Sequence, residues 1–102
     1  MIARITQFRI RPGKVEEFAA MAENLMAAMG KLDGFRALLL LRGDDPSGRD
    51  AMSISVWDSA EHLKSSENDK LYYAGLARLM TCCESFSPMH QHEVLKSIFA
   101  KR

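Results

Sequence analysis

Two histidines near the end of the chain, His90 and His92, are the first side chains whose type and spacing suggest chemistry. In an extended segment side chains alternate across the strand, so both imidazoles lie on one face. Imidazole binds metal ions and exchanges protons near neutral pH, but a protein metal site needs three or four converging ligands, and this pair supplies only two. The pattern therefore predicts no metal site. It favours hydrogen-bonded histidines in a sheet or a subunit interface, with a proton-acceptor role left open for His92.

Two other side chains could serve proton transfer or charge stabilisation. His62 follows Asp58 on a predicted helix and could act as an acid or base, the alternative being a solvent-exposed histidine. Arg78 belongs to a later helical segment that is otherwise mostly apolar, and it could stabilise an oxyanion such as an enolate or phenolate. The alternative for Arg78 is an ordinary surface charge.

Three aromatic side chains are candidates for binding a planar ligand. Trp57 offers a large apolar face and one hydrogen-bond donor, so it could stack on a ring or seal a strand–helix junction as part of the core. Tyr72 and Tyr73 are neighbours on a predicted helix and point about 100° apart, so at most one of them faces a given pocket. The predicted binding residues are Trp57 and Tyr72, and a position on an amphipathic rim is the alternative for the tyrosine.

The composition favours one folded domain over residues 1–102, because 47% of the residues are hydrophobic and 26% are charged. The formal charge of +1 argues against the strongly basic surface of a nucleic-acid-binding protein. The longest apolar runs, such as residues 37–41, are too short to cross a bilayer, and the first residues lack the apolar core of a secretion signal. We therefore expect a cytoplasmic protein that binds neither nucleic acid nor membranes.

The adjacent cysteines Cys82 and Cys83 are expected to be reduced. A disulfide between neighbouring residues closes a strained ring, and a free cysteine behaves as a small hydrophobic side chain. The prediction is a pair of buried thiols on a helix face, with a redox switch as the alternative.

The alternation of side chains predicts three strands in the first part of the chain. Residues 2–11 alternate with β-branched and aromatic content, residues 35–42 are apolar on both faces, and residues 51–57 alternate again up to Trp57. Between the first two strands, apolar residues recur at helical spacing from Lys14 to a stop near Gly30.

The second part of the chain is predicted to be helical and then extended. Asp58 is positioned to cap a helix that weakens at residues 65–68, and a second helical stretch is predicted to continue as far as Phe86. Pro88 stops that helix. The last strand is predicted from Met89 to Phe99 at most. It carries His90 and His92 and is expected to continue into Val94 and Leu95.

The resulting order is β-α-β-β-α-β, which predicts a ferredoxin-like α+β fold with an antiparallel sheet. Its helices cover one face of the sheet only. Since residues 38–41 are apolar on both faces, the other sheet face needs cover from protein. A homodimer with the two sheets face to face supplies that cover.

Three stretches of the chain resemble the antibiotic biosynthesis monooxygenase family of dimeric α+β barrels. They are RIRPGKVEEF after the first strand, LDGFRALLLLR at the second, and SVWDSAEHLKSS at the third strand and its helix. The resemblance implies a pocket between sheet and helices with Trp57 at its wall. Members of that family differ in activity: some are cofactor-independent monooxygenases, others degrade haem or process small signalling molecules, and many have no known activity.

The haem-degrading branch is the weaker match. Its first-strand asparagine is replaced here by Gln7, and residues 68–77 contain neither the histidine nor the tryptophan of that branch. The resemblance therefore favours monooxygenation of a small phenol or quinol without a cofactor. His62 or His92 would accept the substrate proton, Arg78 or Tyr72 would stabilise the anion, and Trp57 would hold the ring. The alternative is a non-catalytic or stress-response protein that binds a small hydrophobic ligand in the same pocket.

Overall fold

An antiparallel sheet with helices packed on one face forms the structure, a computed structural model that describes residues 1–100. Within these residues the elements follow one another as β1 (Ile2–Ile10), α1 (Val15–Met29), β2 (Phe35–Arg42), β3 (Asp50–Trp57), α2 (Ala60–Ser66), α3 (Lys70–Thr81), β4 (Cys83–Phe86) and β5 (His90–Glu93). The strand order across the sheet is β2-β3-β1-β4, and β5 also pairs with β1. The predicted ferredoxin-like α+β fold is confirmed.

The core lies between the sheet and the helices, as the alternation along the strands predicts. In β1 the buried side chains occupy every second position from Arg4 to Ile10. Helix α1 buries Phe18, Ala22, Leu25 and Met29, which recur at helical spacing on a single face. Phe8 meets Phe18 edge to face, with ring centroids 5.5 Å apart. This packing leaves one side of the sheet without helices.

The edge of the sheet beside β1 is built from two short strands instead of one. β4 pairs with Phe8–Ile10 and β5 pairs with Ile2–Ile5, in both cases antiparallel. Between them Ser87 satisfies the backbone of Gln7, since the Ser87 amide donates to the Gln7 carbonyl and the Gln7 amide donates to the Ser87 hydroxyl. Pro88 has no amide hydrogen with which to continue the ladder.

Two predicted element ends and one predicted helix cap are wrong. Helix α3 ends at Thr81, because the four residues from Cys83 turn back to pair with β1 instead of continuing the helix towards Phe86. The last strand ends at Glu93 and does not continue into Val94 and Leu95, because residues 94–100 leave the sheet without regular structure. Helix α2 is capped by the Ser59 hydroxyl, which accepts from the His62 amide, because the carboxylate of Asp58 is engaged by Arg36 of β2.

Both cysteines are free and buried, as predicted, but they do not share a helix face. Cys82 is the C-cap residue of α3, and Cys83 is the first residue of β4, opposite Ile10. Burial raises the pKa of the Cys83 thiol to about 11, with the neighbouring Cys82 acting in the same direction. The thiol is therefore neutral at physiological pH, which makes it a poor nucleophile.

The sheet face opposite the helices is apolar at its centre and carries no layer of its own. Ile5 and Ile54 are direct neighbours there, and Leu39 lies beside Ile54 on β2. Leu39 and Leu41 remain 58% and 44% exposed. The predicted two-sided apolar character of β2 is thus confirmed, since Leu38 and Leu40 pack against the core on the other side. We refer to this uncovered side as the open sheet face.

Over the described residues, none of the helices combines the length and apolar character required to span a bilayer.

Candidate functional site

A narrow cavity lies between the sheet and helices α1 and α3. Its volume is about 40 Å³, well below the roughly 300–1,000 Å³ of ordinary ligand pockets. Most of the wall is apolar, and five polar residues interrupt it: Arg4, Thr6, Ser53, Ser55 and Tyr72. Four of these share one patch of sheet, because Thr6 is opposite Ser53, and Arg4 is opposite Ser55.

The strongest polar feature of the cavity is a hydrogen bond between Arg4 and Tyr72. The guanidinium Nη2 of Arg4 donates to the Tyr72 hydroxyl oxygen, and the Arg4 Cζ lies 5.9 Å from the centre of the tyrosine ring. Both residues are buried, at 6% and 4% exposed. Strand alternation turns Arg4 towards the helices, and the Asp69 cap at the start of α3 fixes Tyr72 through its backbone amide.

Hydrogen-bond donors exceed acceptors around this pair. Among residues 1–100, the only hydrogen bond of the Arg4 side chain is the one to Tyr72, although a guanidinium has five N–H donors. The Tyr72 hydroxyl uses its oxygen as the acceptor, so its own proton is available to another group. Burial raises the pKa of Tyr72 above the ordinary tyrosine value, against the opposing effect of Arg4. The pair therefore presents a cation and a neutral O–H donor to the cavity.

The only carboxylate paired with Arg4 within the described chain is distant and hydrated. The Glu67 Oε1 lies 3.7 Å from the Arg4 Nη1, and the glutamate side chain is 58% exposed. That separation is beyond ordinary hydrogen-bond range. Such a contact neutralises a buried charge only in part, because water screens the exposed partner.

Trp57 lies in the core beside the cavity and does not line it. Its side chain is fully buried and meets Phe35 edge to face, with ring centroids 5.3 Å apart. The indole Nε1 donates to the Ser55 hydroxyl over 3.0 Å, and Ser55 does line the cavity. Trp57 thus orients a wall residue, which is the core alternative in the sequence-based interpretation.

His62 lies in a separate depression on the helical side of the molecule. This depression has a volume of about 320 Å³ and is lined by Leu32, Asp33, Ser65 and Asp69 among others, none of which reaches the cavity. The His62 Nδ1 lies 2.7 Å from the Ser59 Oγ, and its Nε2 lies 3.7 Å from the Asp33 Oδ2. Gly34, with a positive φ of 77°, lets the backbone pass directly against the imidazole ring.

His92 and Arg78 also lie away from the cavity. His92 is opposite Ala3 and His90 is opposite Ile5, so both imidazoles are on the open sheet face, where they are exposed. Arg78 is exposed in the last turn of α3. Of the five predicted site residues, the structure places Tyr72 at the cavity and Trp57 behind its wall. It does not bring His62, His92 and Arg78 together with them.

A larger groove, of about 770 Å³, is located at the end of the sheet where β2 stops and β3 begins. Its wall includes Gln7, Leu41 and Met52 of the open sheet face and none of the predicted site residues. The charged residues Arg42 and Asp50 at its rim are already engaged, with the Gly48 carbonyl and Arg9 respectively. We favour the smaller cavity as the site because a buried cation, Arg4, and the Tyr72 hydroxyl line it, whereas the groove is a shallow feature of an uncovered surface.

Sequence reasoning missed Arg4. The alternation in residues 2–11 puts Arg4 in the same set as Ile2, Thr6, Phe8 and Ile10, which is the set that turns towards the core. A cation in an inward-facing set was the available signal, since charged residues are rarely buried without a purpose. Its partner Tyr72 is far away along the chain, so no local pattern connects the two.

The fold is shared with solved structures of low sequence identity. The crystal structure of SnoaB, a cofactor-independent oxygenase from Streptomyces nogalater, matches with a TM-score of 0.83 and 14% identity over 95% of each chain. A conserved protein from Methanosarcina mazei matches with a TM-score of 0.80 and 15% identity over 89% of each chain. At such identities the similarity concerns the fold, and the fold alone does not define an activity.

The sequence itself identifies the family. The model of the family described as antibiotic biosynthesis monooxygenase matches residues 1–77. The chain therefore belongs to the antibiotic biosynthesis monooxygenase family, which confirms the resemblance noted in its first three strands. Among curated protein sequences, none matches this chain.

Proposed function

We propose that this protein is a cofactor-independent monooxygenase of a small phenol or quinol. The observation that carries the proposal is the buried, hydrogen-bonded pair Arg4 and Tyr72, which lines a largely apolar cavity. Donors fixed in a site shielded from water stabilise a developing oxyanion much more strongly than water does. Family membership and the fold of the oxygenase SnoaB support the same assignment.

The reaction balances without an external reductant. The substrate hydroxyl loses its proton to solvent, assisted by the positive charge of Arg4, which favours the anionic form. The anion gives one electron to O₂, and the resulting radical and superoxide combine to form a carbon–oxygen bond. Loss of water from the peroxide then leaves a carbonyl. Overall a phenol and O₂ yield a quinone and H₂O, so the substrate supplies all four electrons that reduce O₂.

Access to the cavity requires side-chain movement, because its present volume is small for an aromatic ring. Met89 is at the rim, 36% exposed, in the segment between β4 and β5 that belongs to neither strand. Methionine is unbranched and adapts its shape readily. In this proposal Met89 moves to admit the ring, and the buried Met29 at the cavity wall adjusts to it.

An oxygen electrode tests the proposal directly. With a panel of hydroquinones and phenols, we expect the protein to consume one O₂ for each quinone formed and to place one ¹⁸O atom from ¹⁸O₂ in the product. No NADH, flavin or metal is added. Heat-unfolded protein at the same concentration is the control for spontaneous oxidation.

The opposite outcome supports a second candidate function. Saturable binding of quinols without oxygen consumption would overturn the monooxygenase. It would favour a non-catalytic, small-ligand-binding or stress-response protein. The cavity wall is consistent with that alternative, because within residues 1–100 it contains no histidine or carboxylate.

The catalytic roles predicted for His62, His92 and Arg78 stay predictions. A triple variant lacking these side chains tests them in the same assay, and unchanged turnover would refute them.

We propose in addition that the protein is a homodimer joined through the open sheet face, as in a dimeric α+β barrel. Support comes from the apolar centre of that face around Ile54 and Leu39, and from the exposed apolar side chains Leu95, Ile98 and Phe99 after β5. Exposed apolar area of this kind is uncommon in a monomer of this size.

Sedimentation velocity measures the subunit association. We expect a dimer for the parent protein and a shift to monomer for Leu39→Asp, because a carboxylate in the centre of the interface would be buried without a partner. Leu71→Asp is the matched control, since Leu71 is 75% exposed on α3, on the helical side. A parent protein that sediments as a monomer at micromolar concentration would contradict the dimer.

A further inference from the structure

Arg4 is a buried cation whose surroundings supply too little negative charge. Its side chain is 7% exposed, and its one carboxylate neighbour in the described chain, Glu67, lies at 3.7 Å with most of its surface in water. Isolated charges are costly to bury. Tyr72 contributes a neutral oxygen, which accepts a hydrogen bond from one N–H group but does not neutralise the positive charge.

The same carboxylate occupies a position from which it can leave at little cost. Glu67 is the C-cap residue of α2, in the turn between α2 and α3, and its side chain is exposed. No other partner holds it within residues 1–100. A carboxylate in contact with water regains its hydration when it turns outward, so it yields readily to a competing anion nearer the guanidinium.

From these contacts we infer that the cavity takes a ligand that carries a full negative charge on oxygen before any reaction, and that Glu67 is the counter-ion which this ligand replaces at Arg4. The ligand is an aromatic ring with a carboxylate or an ionised phenol. This inference rests on the proposed function in that it names the substrate class of the same cavity. It assigns Glu67 a specificity role that acts through Arg4 without contact to the reacting atoms.

The largely apolar wall of the cavity limits the number of charges that the ligand can carry. Among the described residues that line the cavity, Arg4 is the only charged one, and the other polar groups are the hydroxyls of Thr6, Ser53, Ser55 and Tyr72. A dianion would therefore bury one charge without a counter-ion, which is strongly unfavourable. The expected ligand is a monoanion with its charge at the Arg4 end.

Equilibrium binding of benzoate and benzamide, measured by calorimetry at low ionic strength, tests the inference. The two probes have similar shape and differ in charge. We expect benzoate to bind at least about 10-fold more tightly, which corresponds to about 1.4 kcal/mol. Glu67→Gln should tighten benzoate about 3- to 10-fold, because the competing carboxylate is gone, and should leave benzamide unchanged. Arg4→Met should remove the preference for benzoate.

Glu61→Gln is the matched control for the loss of one negative charge. Glu61 is exposed in the first turn of α2 and makes no ion pair in the described chain, so its removal should shift benzoate affinity by less than a factor of about 2. Equal binding of benzoate and benzamide by the parent protein would overturn the inference. So would a Glu67→Gln variant that binds benzoate no more tightly than the parent.

A second probe distinguishes the two sources of charge. 4-Nitrophenol changes its absorption on ionisation, so a spectrum of the bound probe reports whether the cavity holds the phenolate. Phenolate absorption at a pH where the free probe is protonated supports an ionised phenol as ligand. Binding as the neutral phenol, with benzoate still preferred over benzamide, assigns the site to carboxylates.

These binding measurements test the charge of the ligand independently of any enzymatic turnover. If a neutral quinol is oxygenated while benzoate shows no preference, the inference about charge fails and the monooxygenase stands. If benzoate and the Glu67→Gln variant behave as expected and no substrate consumes oxygen, the anion site stands and the monooxygenase fails.

Discussion

Replacement of Arg4 by methionine should lower kcat for a phenolic substrate about 100- to 1,000-fold, while the folded protein becomes no less stable. The loss follows from removing Arg4, the one cation that residues 1–100 place on the cavity wall, and single oxyanion donors in enzymes are typically worth this much. Methionine matches the length of the arginine stem, and the other walls of the cavity are mostly apolar.

The stability expected of this variant separates a functional arginine from a structural one. Replacing buried ionic groups by apolar side chains of similar volume is often neutral or stabilising. Arg4→Met should therefore unfold in urea at about the parent midpoint or above it, because removal of a buried cation offsets the charge-assisted hydrogen bond that Tyr72 loses. Arg4→Lys keeps the charge without the planar fork, and we expect it to recover part of the turnover.

Arg36→Met is a suitable control for the loss of a positive charge. Arg36 is on β2, more than half exposed, and pairs with Asp58 away from the cavity. Its replacement should change turnover by less than a factor of about 3, in line with surface charges elsewhere. Full activity in Arg4→Met would mean that the active site lies elsewhere. A large loss of stability in this variant would mean that Arg4 serves the fold.

Replacement of Trp57 by alanine should cost about 3–5 kcal/mol of the unfolding free energy. Trp57 is completely buried, and its removal would leave a void beside Phe35 and strip Ser55 of its hydrogen-bond donor. Since the free energy of unfolding of small domains is only about 5–15 kcal/mol, a large part of the stability would be lost. Urea unfolding followed by far-ultraviolet circular dichroism measures the change.

Two variants bracket that expectation. Trp57→Phe keeps an aromatic ring against Phe35 and loses the indole N–H, so it should cost less than half as much as alanine. Tyr73→Ala removes an aromatic ring that is 65% exposed on α3, and its effect should stay within about 0.5 kcal/mol. A Trp57→Ala protein as stable as Tyr73→Ala would show that the indole is not a core residue.

The fold was predictable where the hydrophobic period is long and unbroken. The alternation in residues 2–11 and 51–57 and the helical spacing after Lys14 give β1, β3 and α1 directly. The strand β4 was not predictable in this way. Its four residues include Cys83, which continues the helical spacing of α3, and its strand state depends on pairing with β1.

The candidate site was predictable only in part, for a related reason. Tyr72 stood out as one of two tyrosines on a helix, and its burial follows from the helix period. His62, His92 and Arg78 were selected by chemical type, but each faces away from the cavity because of its position on α2, β5 or α3. Which polar groups share one cavity depends on the pairing of distant segments, and Arg4 with Tyr72 is such a case.

Because the edge strand is interrupted at residues 87–89, different residues pair with β1 and form the rim of the cavity. Ser87 keeps the Gln7 backbone satisfied, while Met89 belongs to the cavity rim and to neither strand. Changes at Met89 therefore leave the ladders of β4 and β5 with β1 untouched. Such a rim can diversify during evolution, or be redesigned in the laboratory, to admit rings of different size without disturbing the architecture that holds the buried arginine.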